Sequence, residues 1–282
     1  MNWKRKVRRE RLKQGLWAIV RGGGDLASGA ILRLARAGIK VIVTELAQPL
    51  MVRRKVSFAE AIYQGEVEIE GLRGVKAEID VEQIIRIASE YQIPVIADPE
   101  LKIQSLFTPD ILVDGRMLKK SLEDQRTLAS LVIGLGPGFV AGKNCHAVIE
   151  TKRGHFLGRV IWEGEPEKDS GIPEGVDGKF GERVLRAPSE GEFMAGVEIG
   201  ESVLSGQCLG YVNGVPVYAP FDGVVRGLIW SGLHVMQGQK IGDIDPRGDP
   251  RYCWLVSDKS LAVGGGVLEA VLTIPEFRAR LG

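Results

Sequence analysis

The chain has 282 residues, 44% of them hydrophobic and 26% charged, which is enough apolar material for about two domains of ordinary size. Its 37 basic and 36 acidic side chains leave a net charge of +1, so no global field draws it to nucleic acid or to an anionic membrane, and small ligands or protein partners are the expected company. Cys145, Cys208 and Cys253 lie far apart without a CxxC pair, which argues against a disulfide framework or a structural zinc and fits a reducing, cytoplasmic compartment.

Residues 1–14 form a basic tail carrying Lys4, Arg5, Lys6, Arg8, Arg9, Arg11 and Lys13. No apolar segment or small-residue cleavage site follows, so the tail reads as a solvated arm or a contact for an acidic partner rather than a signal peptide. The longest apolar runs, such as Leu16 to Val20, fall well short of the roughly 20 residues a membrane helix needs.

From residue 15 the order is strand, glycine turn, helix. Leu16 to Val20 leads into Arg21-Gly22-Gly23-Gly24-Asp25-Leu26-Ala27-Ser28-Gly29, and Ile31, Leu32, Leu34 and Ala35 then recur at helical spacing. A second strand, Lys40 to Val43, delivers Glu45, 21 positions after Gly24. That is the spacing of a Rossmann-like nucleotide-binding turn: Gly22 makes the bend, Gly24 lets backbone approach a pyrophosphate, and Ala27 lets the helix pack on the strand. The helix start offers free N–H groups to an anion. Glu45 is placed to accept from a ribose hydroxyl and to repel a 2′-phosphate. Asp25 argues the other way, because a carboxylate at the helix start competes with a bound phosphate; a purely structural glycine turn is the alternative.

Pro49 breaks the next strand, and Ser57 with Glu60 has the spacing of a capping box, predicting a helix from Phe58 to Tyr63 with Arg53 and Arg54 on the preceding loop. Such a pair could clamp phosphate or carboxylate, or simply be solvated. Asp80 to Tyr91 reads as an amphipathic helix, Ile93 to Ala97 as a strand ending in Asp98, and Ile111 to Val113 as a strand ending in Asp114. Carboxylates at the carboxyl ends of parallel strands sit where ligands bind in open α/β sheets, although Arg116 beside Asp114 also fits an ion-paired loop.

Gly134 to Phe139 is a second glycine turn and a candidate anion nest. After the strand Ala147 to Ile149 comes the densest reactive cluster, with Glu150 and His155 as a possible acid/base pair and Arg153 as a possible carboxylate or oxyanion holder. A charged hairpin with Gly154 in its turn accounts for the same residues. Cys145-His146 reads as packing. Further on, Ala187-Pro188, Gly191, Gly200, Val203, Gly206-Gln207 and Gly210 are each answered 32 positions later, from Ala219-Pro220 to Gly242. This duplication resembles the barrel-sandwich of lipoyl and biotinyl domains, but the turn Val212-Asn213-Gly214-Val215 lacks the attachment lysine. Asp243 and Asp245 alternate on a strand, too weak a signal for a metal site. The expected close is a strand Trp254 to Val256 and a glycine turn, Gly264 to Gly266, opening a short helix.

The expected fold class is therefore α/β: a Rossmann-like parallel sheet over 15–145, a hairpin-rich connector over 146–184, a degenerate lipoyl-like all-β module over 185–247, and a closing strand and helix over 248–282. Taken together, Gly22 to Gly29, Val52-Arg53-Arg54 with Phe58 to Gly65, Gly134 to Phe139, Ile149 to Gly158, Gly242 to Arg247 and Gly264 to Ala270 resemble the YqeB family, over nearly everything after residue 15. The resemblance implies an accessory or maturation role beside a selenium-dependent molybdenum hydroxylase, which would be the protein partner. It also implies a distant likeness of the first part to XdhC proteins, which are thought to handle the molybdenum cofactor. The expected ligand is a nucleotide, an NAD-like dinucleotide or a molybdopterin nucleotide. An NAD-dependent oxidoreductase and a non-catalytic scaffold docking on the hydroxylase are the alternatives.

Overall fold

The computed structural model describes residues 15–118, 120, 122–168 and 176–281; the basic tail expected over 1–14 lies outside them. The chain divides into two compact units that are discontinuous in sequence. One takes in the chain up to Pro49, Phe58–Asp169 and everything from Val256 on; the other takes in Leu50–Ser57 and Ser170–Leu255.

The first unit is built on β1 (Trp17–Arg21), α1 (Asp25–Arg36), β2 (Lys40–Glu45), α2 (Ala61–Gln64), β3 (Glu66–Ile69), β4 (Leu72–Ala77), α3 (Val81–Ser89), β5 (Ile93–Ala97), β6 (Ile111–Asp114), β7 (Leu131–Leu135), β8 (Ala147–Ile149) and β9 (Val160–Ile161). These strands form one nine-stranded sheet in the order β3-β4-β5-β2-β1-β6-β7-β8-β9. Seven neighbours from β4 to β8 run parallel, and the two edge strands run antiparallel. Every residue of β1, β6 and β7 is buried, as expected of parallel strands covered on both faces, and this is why they read as unbroken apolar runs. Asp80 caps α3, its carboxylate accepting from the Gln83 amide at 2.7 Å, and Val81, Ile84, Ile85 and Ile87 go into the core. Each contributes roughly 1.5–3 kcal/mol of burial.

The second unit holds β10 (Val184–Arg186), β11 (Gly191–Ala195), β12 (Ser202–Val203), β13 (Cys208–Val212), β14 (Val215–Tyr218), β15 (Gly223–Leu228), β16 (His234–Val235) and β17 (Lys240–Asp245). They make two four-stranded sheets, β10-β17-β15-β12 and β14-β13-β11-β16. The 32-residue repeat explains the pairing: β12 of the first copy pairs with β15 of the second, and β16 of the second with β11 of the first. Asn213 and Gly214 both have positive φ, 48° and 78°, as a two-residue hairpin of type I′ requires. Buried Asp243 and Asp245 are tied to arginines, Asp243 to Arg183 and Arg226, and Asp245 to Arg226 at 2.9 Å and to Arg247 at 2.6 Å.

This architecture corrects the expected fold class. The sheet is mixed, not the parallel sheet of a Rossmann-like domain, and the connections β5 to β6 and β6 to β7 carry only short 3-10 turns among the described residues where a doubly wound fold would place helices. Part of that cover comes from the chain end, where α4 (Asp258–Thr273) packs on β7, β8 and β9 and is followed by α5 (Pro275–Arg278). Nor is the second part a lipoyl-like module closed on itself, since Leu50–Ser57 belongs to it and Leu228 donates to the carbonyl of Val52 at 2.7 Å.

Three local expectations change as well. Ser57 does not cap a helix; its hydroxyl donates back to the Arg53 carbonyl at 2.8 Å, and 3-10 turns occupy Arg54–Val56 and Phe58–Glu60. Trp254 to Val256 is not a strand, for the 3-10 turn Pro250–Cys253 precedes it and Ser257 caps α4. Gly264 to Gly266 lie inside α4 rather than before it. A Cβ on Gly264 would stand 2.5 Å from the Gly29 carbonyl carbon and 2.9 Å from the Ala30 nitrogen, and one on Gly266 would be 3.1 Å from the Gly158 carbonyl carbon. Helix α4 therefore crosses α1 at backbone contact, and glycine is what the crossing requires.

Candidate functional site

The carboxyl ends of β1, β2 and β6 converge on the first glycine turn. Gly22, at φ +87°, bends the chain out of β1 while its N–H donates to the Thr44 carbonyl at 2.8 Å. Gly23 is packed shut, since a Cβ there would meet the Ala59 nitrogen at 2.8 Å and Val43 Cγ1 at 2.9 Å. Gly24 differs from both. It caps α1 with no side-chain hydrogen bond, and a Cβ placed on it would meet nothing within 4 Å. Ala27 is buried where the helix meets Gly115, whose own Cβ would come within 2.9 Å of it. Ser28 locks the turn, its hydroxyl donating to the Gly24 carbonyl at 3.0 Å and accepting from the Phe58 amide at 3.1 Å. Asp25 lies in the first turn of α1.

Glu45 reaches this turn from β2, one carboxylate oxygen accepting from the Gly23 amide at 2.8 Å and the other from the Leu46 amide at 2.7 Å. Burial pushes its carboxyl above the usual range, against the pull of those two amides. Each oxygen keeps a second lone pair for an incoming hydroxyl.

Behind the turn, Arg116 closes a bidentate pair on buried Asp114, at 2.9 and 2.6 Å, with Arg21 3.8 Å from the same carboxylate. Arg21 also donates to Gln125 Oε1 and to the Pro99 carbonyl, both at 3.2 Å. Its guanidinium is shifted below its ordinary value, first by burial and then by the like charge of Arg116. Gln125 Nε2 is buried without a hydrogen-bond partner among the described residues. Arg21 and Gln125 were not legible in sequence: an arginine at the end of an apolar strand and a glutamine in a loop carry no signal until the strand order brings β6 beside β1.

The other sequence candidates have separate duties. Asp98 accepts the amides of Lys102 and Ile103 at 2.8 and 2.9 Å, ordering the 3-10 turn that follows β5. Glu150 is buried and accepts the amides of Lys152 and Glu167, both at 2.7 Å. Arg153 forms a bidentate surface pair with Asp258, at 2.5 and 2.6 Å, and exposed His155 packs edge-on against Phe156 at 5.4 Å between centroids. The three leave the end of β8 together but are engaged by different groups. Arg53 and Arg54 belong to the second unit, where Arg53 donates to the Tyr252 carbonyl at 2.8 Å and Arg54 to that of Leu228 at 2.8 Å, with its guanidinium over Trp230. The turn Gly134 to Phe139 is filled by packing: Gly134 faces the Phe139 ring, Gly136 faces Thr151, and Gly138 faces the Lys120 backbone. Burial holds the Cys145 thiol up at about 12, so it stays protonated. Among the described residues no group of three or more metal-ligating side chains forms.

Over 256 residues, 91% of its length, the chain is 42% identical to uncharacterized protein YqeB of Escherichia coli K12. The match agrees with the likeness to YqeB read from the sequence. The chain spans about half the length of that curated relative, 47% of it. No family model matches. Among solved structures, an aspartoacylase family protein of Mesorhizobium loti shares 12% identity over 82% of this chain and 85% of its own, with a TM-score of 0.27. A succinylglutamate desuccinylase/aspartoacylase from Rhodobacter sphaeroides shares 16% over the same shares of the two chains, at 0.26. The product-bound ectoine utilization protein EutE of Ruegeria pomeroyi shares 13%, again over 82% and 85%, at 0.25. At such scores the likeness decides neither fold nor chemistry. None of these proteins is named for molybdenum or selenium. No described helix is long and apolar enough to cross a membrane.

Proposed function

We propose that the chain is an accessory protein whose glycine turn binds a nucleotide, either free or as the nucleotide end of a larger cofactor, for the benefit of a client enzyme. The observation that carries this reading is the open ground over Gly24. Of the three glycines of the turn, it alone faces free space, at the uncapped start of a 12-residue helix. The N-terminus of a helix attracts a phosphate, while Glu45 offers its spare lone pairs to a ribose. Asp25, in the first turn of the same helix, opposes negative charge there and so weakens the hold on any phosphate. Arg21 and Arg116 brace the turn from behind through Asp114.

The family resemblance supplies the candidate client, a molybdenum hydroxylase. In this reading Gly24 and the helix start would hold the phosphate of the nucleotide part of a pterin-nucleotide cofactor, and Glu45 would accept from its sugar. Calorimetric titration of AMP and NAD into the parent and into Gly24→Val tests the reading. Binding by the parent and its loss in a folded variant, with loss of activity in a co-expressed hydroxylase, is the expected result. Equal affinity in both proteins overturns it.

A further inference from the structure

Gln125 holds a donor that the fold does not use. Its main chain is fixed on both sides, the amide donating to the Asn144 carbonyl at 3.1 Å and the carbonyl accepting from the Leu128 amide at 2.9 Å, and the residue is only 6% exposed. A guanidinium can only donate, so the side-chain oxygen of Gln125 must be the atom that faces Arg21 Nη1. That leaves Nε2 buried with no hydrogen-bond partner among the described residues, a state that folded proteins rarely tolerate without a use for it. Arg21 is short of acceptors as well. It reaches Gln125 Oε1 and the Pro99 carbonyl at a long 3.2 Å each, and the carboxylate 3.8 Å away, Asp114, is taken bidentately by Arg116. The other carboxylate nearby, Asp98, is occupied by the Lys102 and Ile103 amides.

This donor pair stands at the last rung of the ladder between β1 and β6, where Arg21 is level with Asp114. In the sheet, β2 with Glu45 flanks β1 on one side and β6 flanks it on the other. We propose that the ligand of the glycine turn extends from Glu45 across the end of β1 toward β6, and that its far end presents an acceptor oxygen, a carbonyl or carboxylate, to Gln125 Nε2 and Arg21. The proposal rests on the nucleotide reading of the turn and narrows it, from any nucleotide to one linked to a carbonyl-bearing group. Only donors are on offer at this point, so an amine on the ligand has nothing to bond to there. Arg116, with its side chain 27% exposed against 11% for Arg21 and 1% for Asp114, is the side chain that turns outward to admit the oxygen.

Calorimetric titration of ADP-ribose, NAD and nicotinic acid adenine dinucleotide into the whole chain tests this. The three share both phosphates and both sugars, and carry at the far end no ring, a carboxamide and a carboxylate respectively. The expected result is that one of the two ring-bearing ligands binds tighter than ADP-ribose by roughly tenfold, the scale of one buried hydrogen bond; which of them leads tells carbonyl from carboxylate. Gln125→Glu keeps an oxygen for Arg21 but replaces the free donor with an acceptor, and should bring the three affinities together. Gln125→Met removes the donor without adding charge and should do the same, with thermal melting reporting whether each variant stays folded. Equal binding of the three ligands by the parent, or a preference that survives both substitutions, overturns the proposal and leaves the nucleotide reading standing, with Nε2 then served by an internal water. A parent that binds neither AMP nor any of the three overturns both.

Discussion

The crossing of α1 and α4 offers a quantitative test, because three consecutive glycines of one helix lie in different surroundings. A methyl on Gly264 would sit 2.5 and 2.9 Å from Gly29 and Ala30 backbone atoms, where ordinary contact begins at 3.4 Å. The helices must part or tilt by several tenths of an ångström at the least, and the obstacle is backbone, which cannot swing aside. Overpacking of that kind costs about 1–3 kcal/mol, against which alanine recovers up to about 1 kcal/mol of helix propensity. Gly264→Ala should therefore destabilise the first unit by about 1–2 kcal/mol, and Gly29→Ala, whose Cβ would press on Ser260 at 3.0 Å or less, by a similar amount. Gly265→Ala meets nothing and should stabilise by about 0.5–1 kcal/mol. Urea denaturation at low micromolar concentration, followed by helix signal, reads all three. If Gly264→Ala and Gly265→Ala shift the midpoint in the same direction, the close crossing is not what selects glycine here.

Removing Asp114 as Asp114→Ala strands Arg116 and Arg21 beside each other in a largely buried site, so a loss of about 3–5 kcal/mol is expected by thermal denaturation; a loss under about 1 kcal/mol would show the pair to be solvent-screened. Glu45 has a folded-state carboxyl raised by burial, so its contribution to stability is present below its unfolded value and is lost as pH rises through the raised one. Melting of Glu45→Gln against the parent from pH 4 to 8 should accordingly turn more favourable to the variant as pH rises, and a difference that does not change with pH refutes the shift. Iodoacetamide at pH 8 should leave Cys145 unmodified in the native protein, since its thiol stays protonated and buried, while half-exposed Cys208 is alkylated; peptide mass mapping distinguishes the two.

Much of the local structure was legible because local rules were obeyed. The apolar runs of β1, β5 and β6, the Asp80-capped helix, the bend at Gly22 and the hairpin at Asn213-Gly214 each follow from periodicity, capping or φ preference within a few residues. The 32-residue repeat likewise announced two related sets of strands. The candidate site was half legible: Gly22, Gly24, Ala27, Glu45 and Asp114 meet at one strand end, whereas Arg21 and Gln125 join only through contacts across 78 to 104 positions of chain.

What the sequence by itself determined is thus the apolar strands β1, β2, β5 and β6, the bend at Gly22 with the helix that follows it, and the Asn213-Gly214 hairpin. Tertiary structure alone decided the rest, for one recurring reason. Glu150, Arg153 and His155 are neighbours in sequence, and only the fold gives Glu150 the Glu167 amide and Arg153 the Asp258 carboxylate as partners. Gly264 and Gly266 look like a turn because glycine is rare in helices, yet the carbonyls of Gly29 and Gly158 come so near that no other residue fits. Which strand lies at the edge, and so whether the sheet is parallel or mixed, depends on pairings between segments that share no local signal. A sequence reports what each residue prefers on its own; which preference prevails is set by the neighbour that folding brings.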